Sequence, residues 1–300
     1  MRISPKNAAL TYGLLVLIWA STPLAIVWSV ESMPAMWAMV FRFLIALPLM
    51  LALLVLFRTK LPLNQRAWLS YLAGSCSLVG SQSFTYLATA HLSSGIIALM
   101  FGLAPIIAGL IGVMWFSVRL TWIQWLGMLV ALCGLMLICV MAQGAMHFSL
   151  IGIGLMLISV TVYCISIYWV KSIKADIPPL AQATGSVLCS TLICLAIIPF
   201  IWSTLPSILP SLKSIFALTY TAIMASVIAM LCYFKLVQNI SATTLSLTTV
   251  LTPIIALMIG AVLNQEYLNF STYIGILVIF SGLALYFYQD IQRISSNIRR

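Results

Sequence analysis

The feature of this sequence that most constrains its fold is an internal repeat with a fixed offset. Residues 91–138 recur without a gap at residues 239–286, which lie 148 positions further along the chain. Prolines and glycines recur at the same offset: Pro105 as Pro253, Gly127 as Gly275 and Gly134 as Gly282. Self-similarity at a fixed interval indicates one structural unit used twice.

The hydrophobic content of the chain indicates whether water or lipid surrounds it. Apolar residues make up 63% of the chain and charged residues 6%, a composition typical of a protein surrounded by lipid. Ten apolar runs have about the 20 residues that a helix needs to cross the hydrocarbon core. They cover residues 8–30, 36–57, 67–89, 94–116, 121–141, 148–170, 180–202, 213–235, 241–263 and 270–288. The sequence therefore predicts an all-α polytopic membrane protein with ten transmembrane helices.

Each copy of the repeat contains five of these runs, so we place the first unit at residues 1–142 and the second at 143–300. Because five is an odd number, the second unit must be inverted in the bilayer relative to the first. Two inverted repeats around a central cavity are typical of secondary transporters. The separators between runs are too short for an ATPase or a catalytic domain, and no metal-ligand or nucleophile motif is present. We therefore expect no enzyme activity and no cofactor.

The distribution of the positive charge predicts the topology. With the N-terminus inside, the outer segments contain one basic residue, Lys213, and the inner segments contain Arg2, Lys6, Arg58, Lys60, Arg66, Arg119, Lys171, Lys174, Lys235, Arg293, Arg299 and Arg300. This asymmetry follows the positive-inside rule. It predicts a multi-pass protein of the cell (inner) membrane with both termini in the cytoplasm, and it accounts for the net charge of +10 without a nucleic-acid partner.

Several motifs give the chain a family resemblance. They are LIWASTP in the first run, FRF in the second, YLATAHLSSGIIALMFGLAPIIAGL across the third and fourth, and SATTLSLTTVLTPIIALMIGAVLNQEYL across the ninth run and the loop after it. Together with the glycine pairs of the fifth and tenth runs, Gly127/Gly134 and Gly275/Gly282, these motifs resemble those of the drug/metabolite transporter superfamily, EamA type. One departure is in the first half, which has SVRL where the second half has QEYL, so that Val118 replaces an acidic residue.

The resemblance implies a five-plus-five inverted arrangement with a cavity that opens to one side at a time. It also implies that the third, fourth, eighth and ninth helices line the cavity with parts of the first and sixth, while the fifth and tenth form a scaffold. The typical task of such proteins is export of amino acids or other small metabolites. Small multidrug antiporters of the same superfamily need a glutamate in the first helix, where this chain has Trp19, Ala20, Ser21, Thr22 and Pro23; cation–proton antiport is therefore disfavoured.

Arg42 is the basic residue that lies well inside a predicted span. A cation there costs about 2.5–3.5 kcal/mol on insertion scales unless it finds water or a partner, so it should face the bundle interior. One interpretation is that it attracts a substrate carboxylate or phosphate. The alternative is that it extends outward to cap helix carbonyls or to pair with Glu31.

Polar residues on two other predicted helices supply further candidates for substrate contact. Ser241, Thr244, Thr248 and Thr252 fall on one face of the ninth helix, and Gln82 and Tyr86 fall on one face of the third with Ser75. The alternative interpretation is that such hydroxyls bond to their own helix or join helices. The candidate substrate-binding residues are Trp19, Thr22, Arg42, Gln82, Tyr86, Tyr163, Thr244, Thr248 and Thr252.

Two prolines at equivalent positions, Pro105 and Pro253, are candidate hinges because each removes a backbone hydrogen bond from its helix. A static kink is the alternative. Taken together, the residues predict an exporter of small amphipathic metabolites such as amino acids, working without ATP as a monomer or weak homodimer in the lipid bilayer. The runner-up is uptake or exchange of a nucleotide-like or sulfonium metabolite, which several basic residues in the cavity would favour.

Overall fold

Helices account for nearly all of the chain in the computed structural model, which describes residues 5–116, 119–141, 149–237, 248–266 and 270–288. The α-helices are α1 (Pro5–Ser29), α2 (Ala35–Leu56), α3 (Gln65–Ser75), α4 (Gln82–Ala88), α5 (Ser94–Gly102), α6 (Ala104–Phe116), α7 (Trp122–Met141), α8 (Leu150–Ile173), α9 (Pro179–Ile201), α10 (Leu212–Tyr220), α11 (Ala229–Val237), α12 (Thr248–Leu263) and α13 (Phe270–Tyr286). No β-strand occurs in these ranges, and the all-α prediction is confirmed.

Seven helical segments of the described chain are long and apolar enough to cross a bilayer. They are Asn7–Ser29, Ala35–Leu56, Ser94–Trp115, Trp122–Cys139, Leu150–Ile173, Pro179–Thr204 and Leu212–Tyr233. The third predicted run is occupied by α3, α4 and the π-helical segment between them, and the ninth and tenth runs contain shorter apolar helices. The chain is therefore a multi-pass membrane protein.

Two stretches of π-helix interrupt the regular helices, and the hydropathy pattern gives no sign of them. Cys76–Ser81 joins α3 to α4, and Thr221–Ile228 joins α10 to α11. The repeat offset places the first of these segments at residues 224–229, so the two overlap in equivalent positions of the two units. A π-helical turn accommodates extra residues in the helix and is frequently found at functional sites. Each segment rotates the side chains that follow it relative to those that precede it.

The two candidate hinge prolines have different local structures. The helix breaks at Leu103, between α5 and α6, and Pro105 lies in the first turn of α6, where the amide hydrogen that proline lacks has no intrahelical partner to lose. Ile106 and Ile107 instead bond to the Leu103 carbonyl at 3.0 and 3.1 Å. Pro253 lies inside the continuous helix α12. The role of either proline as a hinge stays a prediction.

Helices α7 and α13 form the most extensive helix–helix contact of the described chain, and glycines make it close. A Cβ atom added to Gly127 would lie 2.7 Å from the Gly282 carbonyl oxygen, and one added to Gly134 would lie 2.8 Å from that of Gly275. The later glycine of α7, Gly134, meets the earlier glycine of α13, Gly275, so the two helices are antiparallel. Small residues of this kind let membrane helices approach backbone to backbone.

Helices α5 and α12 also pack against each other, and the loop after α12 holds the start of α5. A Cβ on Gly95 would meet Leu257, and one on Gly102 would meet Pro253. Beyond α12, the Glu266 carboxylate accepts hydrogen bonds from the backbone amides of Ser94 at 3.0 Å and Gly95 at 3.1 Å. A negative charge there satisfies amides that have no partner within the helix.

Candidate functional site

A cavity of about 260 Å³ lies where the two halves of the chain meet. It is lined by residues of α1, α2, α4, α5, α6, α8, α9, α11 and α12 and of both π segments. Among the described residues, α7 and α13 contribute none of the lining. The second and seventh predicted spans therefore join the cavity helices that the family resemblance implies.

Seven of the predicted substrate-binding residues converge on this cavity although they come from five different helices. They are Trp19, Thr22, Arg42, Gln82, Tyr163, Thr248 and Thr252. The predicted hinge Pro253 lines it as well, and Pro105 follows Ala104, which does. Thr244 and Ser241 lie outside the described residues. The shared location makes these side chains a candidate site, and their contact with a substrate stays a prediction.

The structure places Tyr86 away from the cavity. Its side chain is fully buried in a core cluster with residues of α2 such as Met39 and Phe43. The cavity-facing stripe of this part of the chain contains Leu78, Gln82 and Thr85. Gln82 and Tyr86 both follow the π segment, in the regular helix α4, where residues four apart differ in direction by about 40° around the helix axis. The cavity lies on the side of Gln82 and Thr85, and Tyr86 lies on the side that packs against α2.

Arg42 contributes the positive charge of the cavity. Its side chain is 6% exposed and lies among apolar residues of α2. The guanidinium Nε donates to the Ser226 hydroxyl at 3.2 Å, and Nη1 donates to the Gln82 side-chain oxygen at 3.4 Å. Both distances are at or beyond the long end of the usual N–H···O range. Arg42 thus faces the bundle interior, as expected for a cation in a membrane span.

The acidic residues of the described chain have other partners or positions. The Glu31 carboxylate pairs with the Lys213 ammonium at 2.6 Å, in a pair whose side chains are 40% and 48% exposed. Glu266 caps α5, and Asp176 is exposed in the loop between α8 and α9. The alternative in which Arg42 pairs with Glu31 is therefore not what the structure shows. Within the described residues, no carboxylate forms an ion pair with Arg42.

Two of the cavity threonines use their hydroxyl protons within their own helices. Thr22 donates to the Ile18 carbonyl at 2.6 Å, and Thr252 donates to the Thr248 carbonyl. This is the intrahelical bonding that the alternative interpretation predicts. A hydroxyl whose proton is engaged in this way still has acceptor lone pairs. On the side of α12 the cavity can therefore accept hydrogen bonds, whereas at Arg42 it donates them.

Apolar and aromatic side chains form the remaining walls. The Trp19 ring packs against Tyr233 with centroids 5.7 Å apart, and Phe101 meets Tyr163 edge to face at 6.1 Å. On the α5 side the lining consists of Ile97, Ala98, Phe101 and Gly102. An apolar body and a small number of convergent polar groups are the usual composition of a small-molecule site.

The sequence reasoning missed four polar residues of the cavity lining, which are Ser77, Thr85, Ser226 and Thr249. The Ser226 hydroxyl, in the second π segment, donates to the Thr221 carbonyl at 3.2 Å and accepts from Arg42. Thr85 shares a buried hydroxyl cluster with Ser159, at 2.8 Å. A serine within an apolar run was the one available signal for Ser226. Its pairing with Arg42 depends on a contact between residues 184 positions apart.

A second hollow, of about 380 Å³, lies between α1, α10 and α12 and includes Trp28, Tyr220 and Lys213. Its charged residue is the one already paired with Glu31, and most of its wall is apolar. The first cavity is the better candidate because convergent polar groups surround it. Among the described residues, no three His, Cys, Asp or Glu side chains lie close enough together to hold a metal ion.

A helical membrane protein with a cavity of solute size between two related halves has the architecture typical of membrane transporters. The EamA-like transporter family model matches residues 7–140 and again residues 150–288. The chain is therefore a member of the EamA-like transporter family, and it contains the domain of that family twice.

Comparisons with known proteins agree with this family. The chain is 27% identical over 276 residues to the "Uncharacterized inner membrane transporter YedA" of Escherichia coli K12, covering 90% of this chain and 87% of that protein. It is 22% identical over 202 residues to an "Uncharacterized transporter" of Archaeoglobus fulgidus, covering 67% and 69% of the two chains. A solved crystal structure matches 96% of this chain with a TM-score of 0.65 at 18% identity. That likeness supports the fold.

Proposed function

We propose that this protein is a secondary transporter that exports small amphipathic metabolites such as amino acids, by alternating access and without ATP. The observation that carries the proposal is the cavity between the two halves, where one buried guanidinium and several hydroxyls face apolar and aromatic walls. Such a lining suits a solute with one polar end and an apolar body.

The size and charge of the cavity favour this substrate class over the runner-up. A volume of about 260 Å³ is slightly below the ~300–1,000 Å³ of most ligand pockets, which suits a metabolite of amino-acid size better than a nucleotide. Arg42 is the one basic residue among the lining residues of the described chain. A nucleotide's phosphates would require more positive charge, and a sulfonium cation would be repelled by Arg42.

The proposed architecture is ten transmembrane helices in two inverted units. Two contacts between helices of equivalent predicted spans support it. In the α7–α13 pair, the Gly127–Gly282 contact becomes the Gly134–Gly275 contact when the two units are exchanged. Helices α5 and α12, which lie in the equivalent fourth and ninth predicted spans, are likewise antiparallel, since Gly95 meets Leu257 and Gly102 meets Pro253. Antiparallel packing of equivalent helices is the arrangement that an inverted repeat requires.

The coupling proposal rests on the positions of the carboxylates. Glu31, Asp176 and Glu266 lie outside the cavity lining of the described chain, so the cavity offers no acidic proton carrier there. We therefore propose facilitated or weakly proton-coupled export, in which the substrate's own gradient sets the direction.

Transport in proteoliposomes tests this function. A panel of amino acids and other small metabolites would be followed by mass spectrometry, with and without an imposed pH difference. We expect amphipathic amino acids to move down their concentration gradient at similar rates in both conditions. The absence of protein-dependent movement for every member of the panel would contradict the proposal. Accumulation driven by a pH gradient alone and abolished by a protonophore would overturn the coupling.

A further inference from the structure

The arrangement around Arg42 links the two units of the repeat at their irregular segments. Ser226 lies within the π segment Thr221–Ile228, and Gln82 immediately follows the π segment Cys76–Ser81. Arg42 donates to both side chains. One guanidinium of α2 therefore connects the two places where the equivalent helices of the two units depart from regular geometry.

The hydrogen bonds in this link are weak and leave most of the guanidinium unused. The two bonds, at 3.2 and 3.4 Å, occupy two of the five N–H donors that an arginine carries. Within the described residues the other three N–H groups have no protein acceptor, and the side chain lines the cavity. When both partners are charged, as in a bond from arginine to a carboxylate, the N···O distance is shorter, about 2.7–2.9 Å.

We propose that Arg42 binds the carboxylate of the substrate and that this binding replaces its hydrogen bonds to Ser226 and Gln82, releasing the link between the two π segments. The inference rests on the proposed transport function and specifies its substrate class: a small solute with one carboxylate. A second negative charge would remain unpaired, because the described lining holds one cation. The planar fork of the guanidinium also matches a carboxylate in two parallel bonds.

The release of the link has a physical consequence for the helices. Ser226 keeps its own bond to the Thr221 carbonyl, so the second π segment remains hydrogen-bonded but is no longer joined to α2. Gln82 is likewise freed from α2. Helices with π segments are sites of local bending, and the two units then have one connection fewer across the cavity. A solute that lacks the carboxylate would contact the apolar walls of the cavity without breaking the hydrogen bonds of Arg42 to Ser226 and Gln82.

Matched pairs of ligands test the carboxylate requirement on the intact protein. Thermal unfolding of the detergent-purified chain would be followed with leucine, valine, methionine and phenylalanine, and with the amide of each. We expect the acids to raise Tm and the amides to bind at least tenfold more weakly, since a charge-assisted hydrogen bond contributes about 1.5–3 kcal/mol. Equal stabilisation by acid and amide, or no stabilisation by any acid, would overturn the inference.

Three variants separate binding by Arg42 from a merely structural role. Arg42→Gln should abolish the preference for acids, whereas Lys213→Gln, which removes a positive charge outside the cavity lining, should keep it. Ser226→Ala removes a competitor for the guanidinium and should therefore tighten binding of the acids about threefold. Weaker binding in Ser226→Ala would show that the serine contacts the ligand, which contradicts the exchange of hydrogen bonds.

The two proposals can fail separately. If proteoliposomes transport the amides as fast as the amino acids, the chain is a transporter and the carboxylate inference is wrong. If acids bind in the thermal assay but no panel member crosses the membrane, the site at Arg42 stands and the transport function is wrong.

Discussion

At the scale of single residues, two fully buried tyrosines have opposite hydrogen-bonding states. The Tyr71 hydroxyl donates to the Pro62 carbonyl at 2.9 Å, whereas the Tyr86 hydroxyl has no partner among the described residues. An unsatisfied polar group in a buried site costs about 1–3 kcal/mol, and an ordinary hydrogen bond contributes about 1 kcal/mol. The same substitution should therefore have opposite effects at the two positions.

We predict that Tyr86→Phe raises thermal stability by about 1 kcal/mol, because it removes the unsatisfied hydroxyl, and that it leaves transport unchanged. Tyr71→Phe is the matched control and should lower stability by about 1 kcal/mol. Thermal unfolding in detergent measures both. A loss of transport in Tyr86→Phe without a loss of folded protein would return Tyr86 to the candidate site.

The residue scale also shows how far sequence reasoning reaches. The sequence singled out Arg42, Gln82 and three of the lining threonines, because a polar side chain in an apolar run is conspicuous whatever its partner. Tyr86 was expected beside Gln82 on the cavity face, but which edge of that face meets the cavity and which packs against α2 depends on contacts with other helices. Ser226 was missed because its importance comes from its contact with Arg42, which the order of residues along the chain does not reveal.

At the scale of helices, the antiparallel α7–α13 contact depends on the absence of side chains at four glycines. We predict that Gly282→Ala separates these helices and destabilises the fold by about 1–3 kcal/mol, the usual effect of overpacking, because the added Cβ would lie 2.6 Å from the Gly127 carbonyl oxygen. Gly154→Ala in α8 is the control, since no atom lies within 4 Å of its added Cβ. Equal Tm values for the two variants would contradict the close contact.

The cap on α5 provides a second test at this scale. Glu266→Gln removes the charge that accepts two backbone amides, and we predict a loss of about 1 kcal/mol of stability, as for other helix caps. Glu31→Gln makes the same chemical change in a half-exposed ion pair, where the expected loss is below about 1 kcal/mol. Thermal unfolding of the two variants distinguishes them, and a larger loss in Glu31→Gln would refute the capping role.

At this scale the sequence predicts features that depend on the pattern of apolar residues, and it does not reveal features that depend on contacts between distant residues. The apolar runs located the helices, and the paired glycines pointed to the closing helices of each unit. The capping of α5 by Glu266 joins residues 172 positions apart, and a loop carboxylate gives no sign of such a distant partner.

At the scale of the whole molecule, the charge asymmetry predicts which side each loop faces. We predict that a cysteine added beyond Arg300 in an otherwise cysteine-free chain resists an impermeant thiol reagent in intact cells. Lys213→Cys, at a position whose native side chain is 48% exposed, should react. The reason is that basic segments stay in the cytoplasm. Labelling of the C-terminal cysteine from outside would contradict the topology with both termini inside.

The central claim is that a solute crosses the membrane through the cavity between the two units. The most direct test introduces Thr22→Cys into a cysteine-free chain and treats the protein in proteoliposomes with a small methanethiosulfonate reagent. Thr219→Cys, which lies outside the cavity lining, is the control. We predict that modification at position 22 abolishes transport of the solute that moves fastest in the panel, and that an excess of this solute slows the modification. Modification at position 219 should leave transport intact. Unimpaired transport after complete modification at position 22 would contradict the account.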